Sequence, residues 1–467
     1  MFESINKKHI YLFFSGLMCS FAFAPFYLFF LFFIGFNTLL SKLKVVVSFR
    51  KAFNIGWLWG LGYFLGCCYW LVSPLTFEFP KYIILIPFAI AIIPAILAIY
   101  TGLLGSVFCF IKKEFLITNK FYLSIIFALL WLLMEFLRST IIIPFPWDLI
   151  AYTTGFCRLL FQNVYIIGTF GLCLLMAFLY TALFTLKDKK CSKYKYVYIA
   201  IFVLIIGYGL IRFRQEKREG SYVATYNTNV RIIQPNFSQS EKRDDHEMFA
   251  MYNKLIELIN KDSEKIDVVV LPETTIPYIL YNYDGEFIYD MQSKINNKNL
   301  LIISGILSVE DRKIYNSLFV FKNSEIIDNY DKHFLAPFGE YIPLKKYFPR
   351  FLDTFIGIDF SVGETRQKLI SGIKNFPDFS PIICYESLFN NAINKDAKLI
   401  INATNDIWFG KTTATFQHFD ALRFRAVENG VPAIRSANSG ISAYINKYGK
   451  VIKKTKLNKV ELLDILL

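Results

Sequence analysis

Cys384 follows an apolar run, Pro381-Ile-Ile, and precedes the polar pair Tyr385-Glu386, so one thiol is presented where a strand gives way to a turn. Upstream, Val268-Val-Val-Leu-Pro272-Glu273 ends a second apolar run on a carboxylate. Between them, Tyr330-Asp-Lys332-His-Phe-Leu-Ala-Pro-Phe-Gly339-Glu340 supplies a lysine. A thiol becomes a competent nucleophile as its thiolate, a carboxylate can take the proton, and an ammonium can hold charge that develops on an attacked carbonyl. These are the parts needed for thioester chemistry on an acyl group. Each also has a plainer reading: Cys384 as an inert buried hydrophobe, Glu273 as a cap or surface acid, Lys332 as a solvated loop lysine. His333 offers the alternative of a papain-like Cys/His pair. No Asn or Asp partner is identifiable for it by motif, and its place inside the lysine segment makes it a bystander.

The elements that must position these side chains are short. Strand candidates are Val230–Ile233, Asp267–Leu271, Leu300–Ser304, Ser317–Phe321, Pro381–Cys384 and Lys398–Asn402, with helical stretches at 241–261, 284–297 and 412–429 between them. Ile441–Ile445, Asn446-Lys-Tyr-Gly449 and Lys450–Lys453 read as a hairpin closed by a glycine turn. This alternation predicts an α/β layered domain over 230–467, large enough for its own core, preceded by a charged and polar linker at 216–229.

Residues 1–215 are of another kind. They hold six acids and 19 Lys and Arg, against 31 acids and 32 Lys and Arg in the remainder, so the net +14 lies almost wholly in the apolar half. A basic face for nucleic acid would load the soluble half instead, so nucleic acid is excluded as a partner. Seven apolar stretches near 9–24, 26–41, 54–74, 82–111, 121–138, 163–186 and 196–212 are long enough, or nearly so, to cross a hydrocarbon core of about 30 Å. The first reads as a span rather than a cleaved signal peptide, since more spans follow at once and no small-residue cleavage site stands out.

Lysine placement sets the orientation. With the N-terminus in the cytoplasm, the inner side holds Lys7, Lys8, Lys42, Lys44, Arg50, Lys51, Lys112, Lys113, Lys120, Lys187, Lys189, Lys190, Lys193 and Lys195. The outer loops hold only Lys81, Arg138 and Arg158. That bias places 213–467 outside, which in a bacterium is the periplasm beyond the inner membrane. Within the fifth stretch Glu135 lies one turn before Arg138, as an interfacial ion pair or a polar lining for a lipid headgroup. The loop Pro144-Phe-Pro-Trp147-Asp148 either caps the bundle or flanks an entrance for lipid. The eight cysteines show no metal-type spacing and no disulfide framework, and Cys384 is the only one after residue 191.

Pro272-Glu273, the Lys332 segment with Gly339-Glu340, and Cys384-Tyr385-Glu386 resemble the Glu-Lys-Cys signature of the nitrilase (carbon–nitrogen hydrolase) superfamily. The apolar half narrows the resemblance to the apolipoprotein N-acyltransferase family, through Glu135-Phe-Leu-Arg138, Phe145-Pro-Trp147, Asn405-Asp-Ile-Trp408-Phe-Gly410, Gln417-His418-Phe, Arg423-Phe-Arg425-Ala and Arg435-Ser-Ala-Asn438-Ser-Gly440. It covers nearly the whole chain. It implies a polytopic membrane bundle followed by a four-layer αββα sandwich, with Cys384 on a nucleophile elbow. It further implies a phospholipid acyl donor, a diacylated apolipoprotein acceptor, no cofactor or metal, and action as a monomer. By the same resemblance Glu273, Lys332 and Cys384 are catalytic, Glu340 is a second essential acid, and Tyr385 and Glu386 support the elbow. Trp408-Phe409 is expected either to lean on bilayer or acyl chains or to pack ordinarily. Two departures stand out. The family usually closes on one more spanning helix, whereas Lys459–Leu467 is too short and too charged to cross. Arg243 stands where an aromatic often occurs, beside Gln234-Pro235-Asn236 and Gln239-Ser240.

Overall fold

A computed structural model describes residues 7–77, 82–220, 226–238, 245–281, 285–343, 345 and 359–467. Gln239, Ser240 and Arg243, and Lys81 of the outer loops, lie outside the described residues. The chain divides into two compact units, Met1–Arg214 with Lys411–Asp420, and Gln215–Gly410 with Ala421–Leu467.

The first unit is helical. Among the described residues, five helical segments are long and apolar enough to cross a membrane: Phe49–Thr76, Ile83–Glu114, Lys120–Thr140, Val164–Leu186 and Lys189–Glu219. The stretches near 9–24 and 26–41 form shorter helices, Lys7–Cys19 and Leu31–Val45, of 13 and 15 residues. Close backbone approach joins Phe49–Cys68 to Ile93–Glu114: a Cβ at Gly56 would fall 2.1 Å from the Thr101 carbonyl oxygen. Small residues at such crossings let apolar helices pack where lipid gives them no hydrophobic reason to associate. Glu135 and Arg138 are both buried and reach the following loop. Arg138 Nη1 donates to the Phe145 and Trp147 carbonyls at 2.6 and 2.7 Å, and Ile150 N donates to Glu135 Oε1 at 2.8 Å. The two residues thus fasten the Phe145–Ile150 loop to the helix end. Within the same unit Trp147 Nε1 donates to Gln417 Oε1 at 2.8 Å, which holds the Lys411–Asp420 segment. The helix Lys195–Glu219 runs on into the stretch expected to be linker.

The second unit is a pair of sheets. Its strands are β1 Asn229–Gln234, β2 Val268–Val270, β3 Ile279–Tyr281, β4 Leu301–Glu310, β5 Lys313–Lys322, β6 Glu325–Asp331, β7 Phe379–Ile383, β8 Leu399–Thr404, β9 Ala433–Ala437, β10 Ala443–Ile445, β11 Val451–Lys454 and β12 Glu461–Leu466. One sheet has the order β12-β1-β2-β4-β5-β6 with β3 beside β4, and the other β11-β10-β9-β8-β7. Side chains alternate between faces with period two. Val230, Ile232, Val268, Val270, Leu301, Ile303, Leu318 and Val320 face the second sheet, meeting Ile383, Leu399, Ile401 and Ile434. Ile233, Val269, Ile302, Phe319 and Phe321 face the opposite way, into a core shared with Leu255 and Ile259 of helix Asp245–Asn260 and Ile288 and Met291 of helix Gly285–Ser293. Pro381 is tolerated because β7 is an edge strand. The closing segment, read from sequence only as unable to span, is β12, paired antiparallel to β1 from Asn229↔Leu466 to Gln234↔Glu461.

Candidate active site

Glu273 and Cys384 lie just beyond the C-terminal ends of the parallel strands β2 and β7, and Lys332 just beyond β6, which pairs antiparallel with β5. Beyond β2 the chain still pairs: Leu271 N donates to the Ile303 carbonyl and Gly305 N to that of Pro272, so Glu273 is held beside β4. A Cβ at Gly305 would lie 2.6 Å from the Glu273 Cα and 2.9 Å from the Pro272 oxygen, which explains the glycine inside a buried strand. Lys332 follows β6, its N–H donating to the Asn316 carbonyl at 2.9 Å and its own carbonyl receiving Gly363 N. Cys384 follows β7 with φ +48, a left-handed conformation that non-glycine residues rarely take, and opens the tight turn Cys384–Leu388. Cys384 is thus the residue at which the chain leaves β7 for that turn.

Three of the expected residues form one polar cluster. Lys332 is buried, with Nζ 2.9 Å from Glu340 Oε1 and 3.6 Å from Glu273 Oε1. Asn316 Nδ2 donates to both carboxylates, at 2.7 Å to Glu273 Oε1 and 2.8 Å to Glu340 Oε1. The remaining oxygens are also occupied: Asn405 N donates to Glu273 Oε2 at 2.8 Å, and Ala336 N to Glu340 Oε2 at 2.7 Å. Burial opposes the lysine's charge, but the Glu340 and Glu273 carboxylates outweigh it and hold the ammonium well above its usual range. The Cys384 thiol is pushed up by burial and by the Glu273 charge, against partial relief from Lys332 and a hydrogen bond with Thr404. Cys384 therefore rests as a thiol within the fields of an acid that can accept its proton and a cation that can hold an oxyanion.

Glu386 ties the lysine loop to the elbow. Its Oε1 accepts from Tyr330 Oη at 2.6 Å, His333 N at 2.9 Å and Phe334 N at 3.0 Å, while Oε2 accepts from Ile383 N at 2.8 Å. Burial raises its pKa, and the Tyr330 hydroxyl and Lys332 charge work against that. Tyr385 stands edge-on to Phe389, which stacks on Phe334 at 4.3 Å. The His333 ring has a partner of its own in the lysine loop, its Nδ1 lying 2.8 Å from the Gly363 carbonyl. Trp408 is 39% exposed and Phe409 is buried.

Asn316 is the member that pattern reading misses. The available signal is an amide interrupting the apolar strand Lys313–Lys322 at a buried position. Asp406 and Arg435 lie in segments that carry the family resemblance, yet nothing in their spacing reveals their pairing, Arg435 Nη2 to Asp406 Oδ2 at 2.6 Å. Among the described residues, no group of three or more His, Cys, Asp or Glu side chains is arranged to hold a metal ion.

Comparison with known proteins adds family matches across both units. The sequence model of the carbon-nitrogen hydrolase family matches residues 229–465, and that of the apolipoprotein N-acyltransferase N-terminal domain matches residues 15–182. The apolipoprotein N-acyltransferase of Rickettsia typhi is 31% identical over 471 residues, covering 97% of this chain and 90% of its own. That of Allorhizobium ampelinum is 34% identical over 430 residues, covering 88% of this chain and 78% of its own. Among solved structures, Saccharomyces cerevisiae Nit3, a member of branch 10 of the nitrilase superfamily, aligns over 51% of this chain and 89% of its own, at 19% identity and a TM-score of 0.39.

Proposed function

The chain belongs to the apolipoprotein N-acyltransferase family, and on that premise we propose how this membrane acyltransferase carries out lipoprotein N-acylation. Glu273 takes the proton of Cys384. The thiolate attacks an ester carbonyl of a phospholipid, and Lys332 with a backbone N–H holds the oxyanion. Lysophospholipid departs, its ester oxygen taking the proton back from Glu273, and leaves the acyl chain as a thioester on Cys384. The α-amine of a diacylglyceryl-cysteine lipoprotein, deprotonated by Glu273, then attacks the same carbonyl. The product amide is more stable than the thioester, so transfer needs no ATP, and the two half-reactions predict ping-pong kinetics.

Support comes from one arrangement above all: the lysine that binds Glu340 at 2.9 Å stands 3.6 Å from Glu273, and both Glu273 and Lys332 act on the thiol. Glu340 takes the closer ion pair with Lys332, at 2.9 Å against 3.6 Å for Glu273. Glu340 is thus a positioning acid for Lys332, and Glu386 with Tyr385 holds the elbow against the lysine loop. The enzyme acts as a monomer. The N-terminus is cytoplasmic and the catalytic unit periplasmic. The two short helices bring five crossings to seven, by local thinning of the bilayer. An odd number of crossings carries the catalytic unit outward in either case.

The test is incubation of the purified full-length protein with a phospholipid labelled in its acyl chains and a synthetic diacylated lipopeptide. N-acylated peptide is expected, with lysophospholipid in equal amount. Free fatty acid with unmodified peptide would instead make this an anchored hydrolase of the nitrilase type.

A further inference from the structure

Cys384 has a neighbour that none of the roles above uses. Strands β7 and β8 run parallel with Ile383 opposite Ala403, so the next residue on each, Cys384 and Thr404, leave the sheet side by side. The Thr404 side chain is hydrogen-bonded to Cys384. The same hydroxyl donates to Asp406 Oδ1 at 3.1 Å. Asp406 does not depend on it, because Arg435 Nη2 donates to Asp406 Oδ2 at 2.6 Å. Arg435 is in turn fixed by Asn402 Oδ1 at 2.7 Å and the Ile441 carbonyl at 3.2 Å, and is fully buried. A Cβ at Gly440 would fall 2.2 Å from Asp406 Oδ2, so the carboxylate's seat admits nothing larger there.

A threonine hydroxyl has a single proton and two acceptor sites. While Cys384 is a thiol, the S–H can donate to the threonine oxygen and the O–H can donate to Asp406. Once the sulfur is ionised it is acceptor-only, and the O–H has two anions to choose between. Asp406 already has the Arg435 guanidinium, whereas the thiolate has given up its own proton.

We infer that Thr404 is a switchable donor for the nucleophile, resting on Asp406 while Cys384 is protonated and turning to the sulfur when the thiol passes its proton to Glu273. No bond other than S–H breaks in this step. The proton moves from Sγ to the Glu273 carboxylate, the Thr404 O–H exchanges one acceptor for another, and it returns to Asp406 when the sulfur bonds to the acyl carbon. The charged groups acting on the sulfur are Glu273 from the end of β2, Lys332 from the loop after β6 and Asp406 from the turn after β8. Glu273 and Asp406 oppose ionisation, so a donor that follows the charge offsets part of their field. The inference takes Cys384 as the nucleophile, as proposed above.

The experiment is the pH profile of Cys384 alkylation by chloroacetamide in the full-length protein in detergent, read by peptide mapping, for the native chain and for Thr404→Ala, Thr404→Val and Thr404→Ser. Loss of the hydroxyl is expected to move the midpoint upward by about one pH unit and to slow alkylation at neutral pH about tenfold. Thr404→Ser is expected to restore most of the native profile. A merely structural threonine would change thermal stability and leave the midpoint in place. Two variants without the hydroxyl keep the comparison open if one of them folds poorly. Profiles of Thr404→Ala or Thr404→Val that superimpose on the native one overturn the switch. Acyl loading of the native protein from phospholipid, measured alongside, separates the two claims: loading with an unshifted profile overturns the role of Thr404 and leaves the nucleophile standing, while absence of native loading overturns the nucleophile.

Discussion

Glu386 shows how one buried carboxylate can set the geometry of two others' chemistry. Four donors converge on its oxygens, three from the 330–334 segment and one from Ile383 at the foot of the elbow. Glu386→Gln keeps the size but turns one acceptor oxygen into an N–H₂ facing a donor, so at least one buried hydrogen bond is lost, at about 1–3 kcal/mol. A lowered Tm is expected. Acyl loading is expected to fall at least about tenfold, because small displacements of reacting groups cost rate steeply. Native loading kinetics in this variant would show that the loop and elbow are held by other means. Cys384, Glu273 and Lys332 are legible in sequence because each follows an apolar run or sits in a recognisable polar segment. Asn316 is hidden because strand periodicity says which face a residue takes and nothing about which carboxylates will converge on its amide from two distant loops. The partners of Glu135 are hidden for the same reason: the sequence offers Arg138 one turn away, and the fold gives it Ile150 N instead.

At the scale of elements, the reactive residues depend on strand register. Glu273 is in place only because β4 passes close to it at Gly305. Gly305→Ala would push a methyl against the Glu273 backbone, where no side-chain rotation relieves the contact. An overpacking cost of about 1–3 kcal/mol is expected. The expected signature is a protein that folds with reduced stability and loses most acyl loading, because the displaced group is the proposed base; unchanged loading would show that β4 yields freely. The six strands expected from apolar runs form, as does the Gly449 hairpin, since buried β-branched runs leave few alternatives. β6, β9 and β12 are harder to read. Glu325–Asp331 and Glu461–Leu466 carry charges and half-exposed positions, and their strand character comes from pairing with β5 and β1 rather than from local pattern. β9 is short and interrupted by Arg435, a charge that is acceptable in a buried strand only because Asp406 and Asn402 receive it.

For the whole molecule, orientation is the claim that composition supports best and that can be tested without chemistry. Leu116 and Glu264 are exposed, one after the helix Ile93–Glu114 and the other in the catalytic unit. In a bacterial host, a membrane-impermeant maleimide is expected to label Glu264→Cys in intact spheroplasts, and Leu116→Cys only after the membrane is opened. The reverse pattern would invert the topology and place the catalytic unit in the cytoplasm. The separation into an apolar basic unit and a balanced α/β unit is legible from charge and hydropathy alone. The assignment of Lys411–Asp420 to the helical unit is not, because Gln417 finds Trp147 across 270 residues of sequence. In the proposed mechanism all of this serves one sulfur. The most direct measurement is peptide-mapped mass spectrometry of the full-length protein after exposure to phospholipid alone, with no acceptor present. One acyl chain on Cys384, removable by neutral hydroxylamine, absent in Cys384→Ser and retained in Cys67→Ser, is the predicted result; an unmodified Cys384 in a protein that still N-acylates lipopeptide would contradict it.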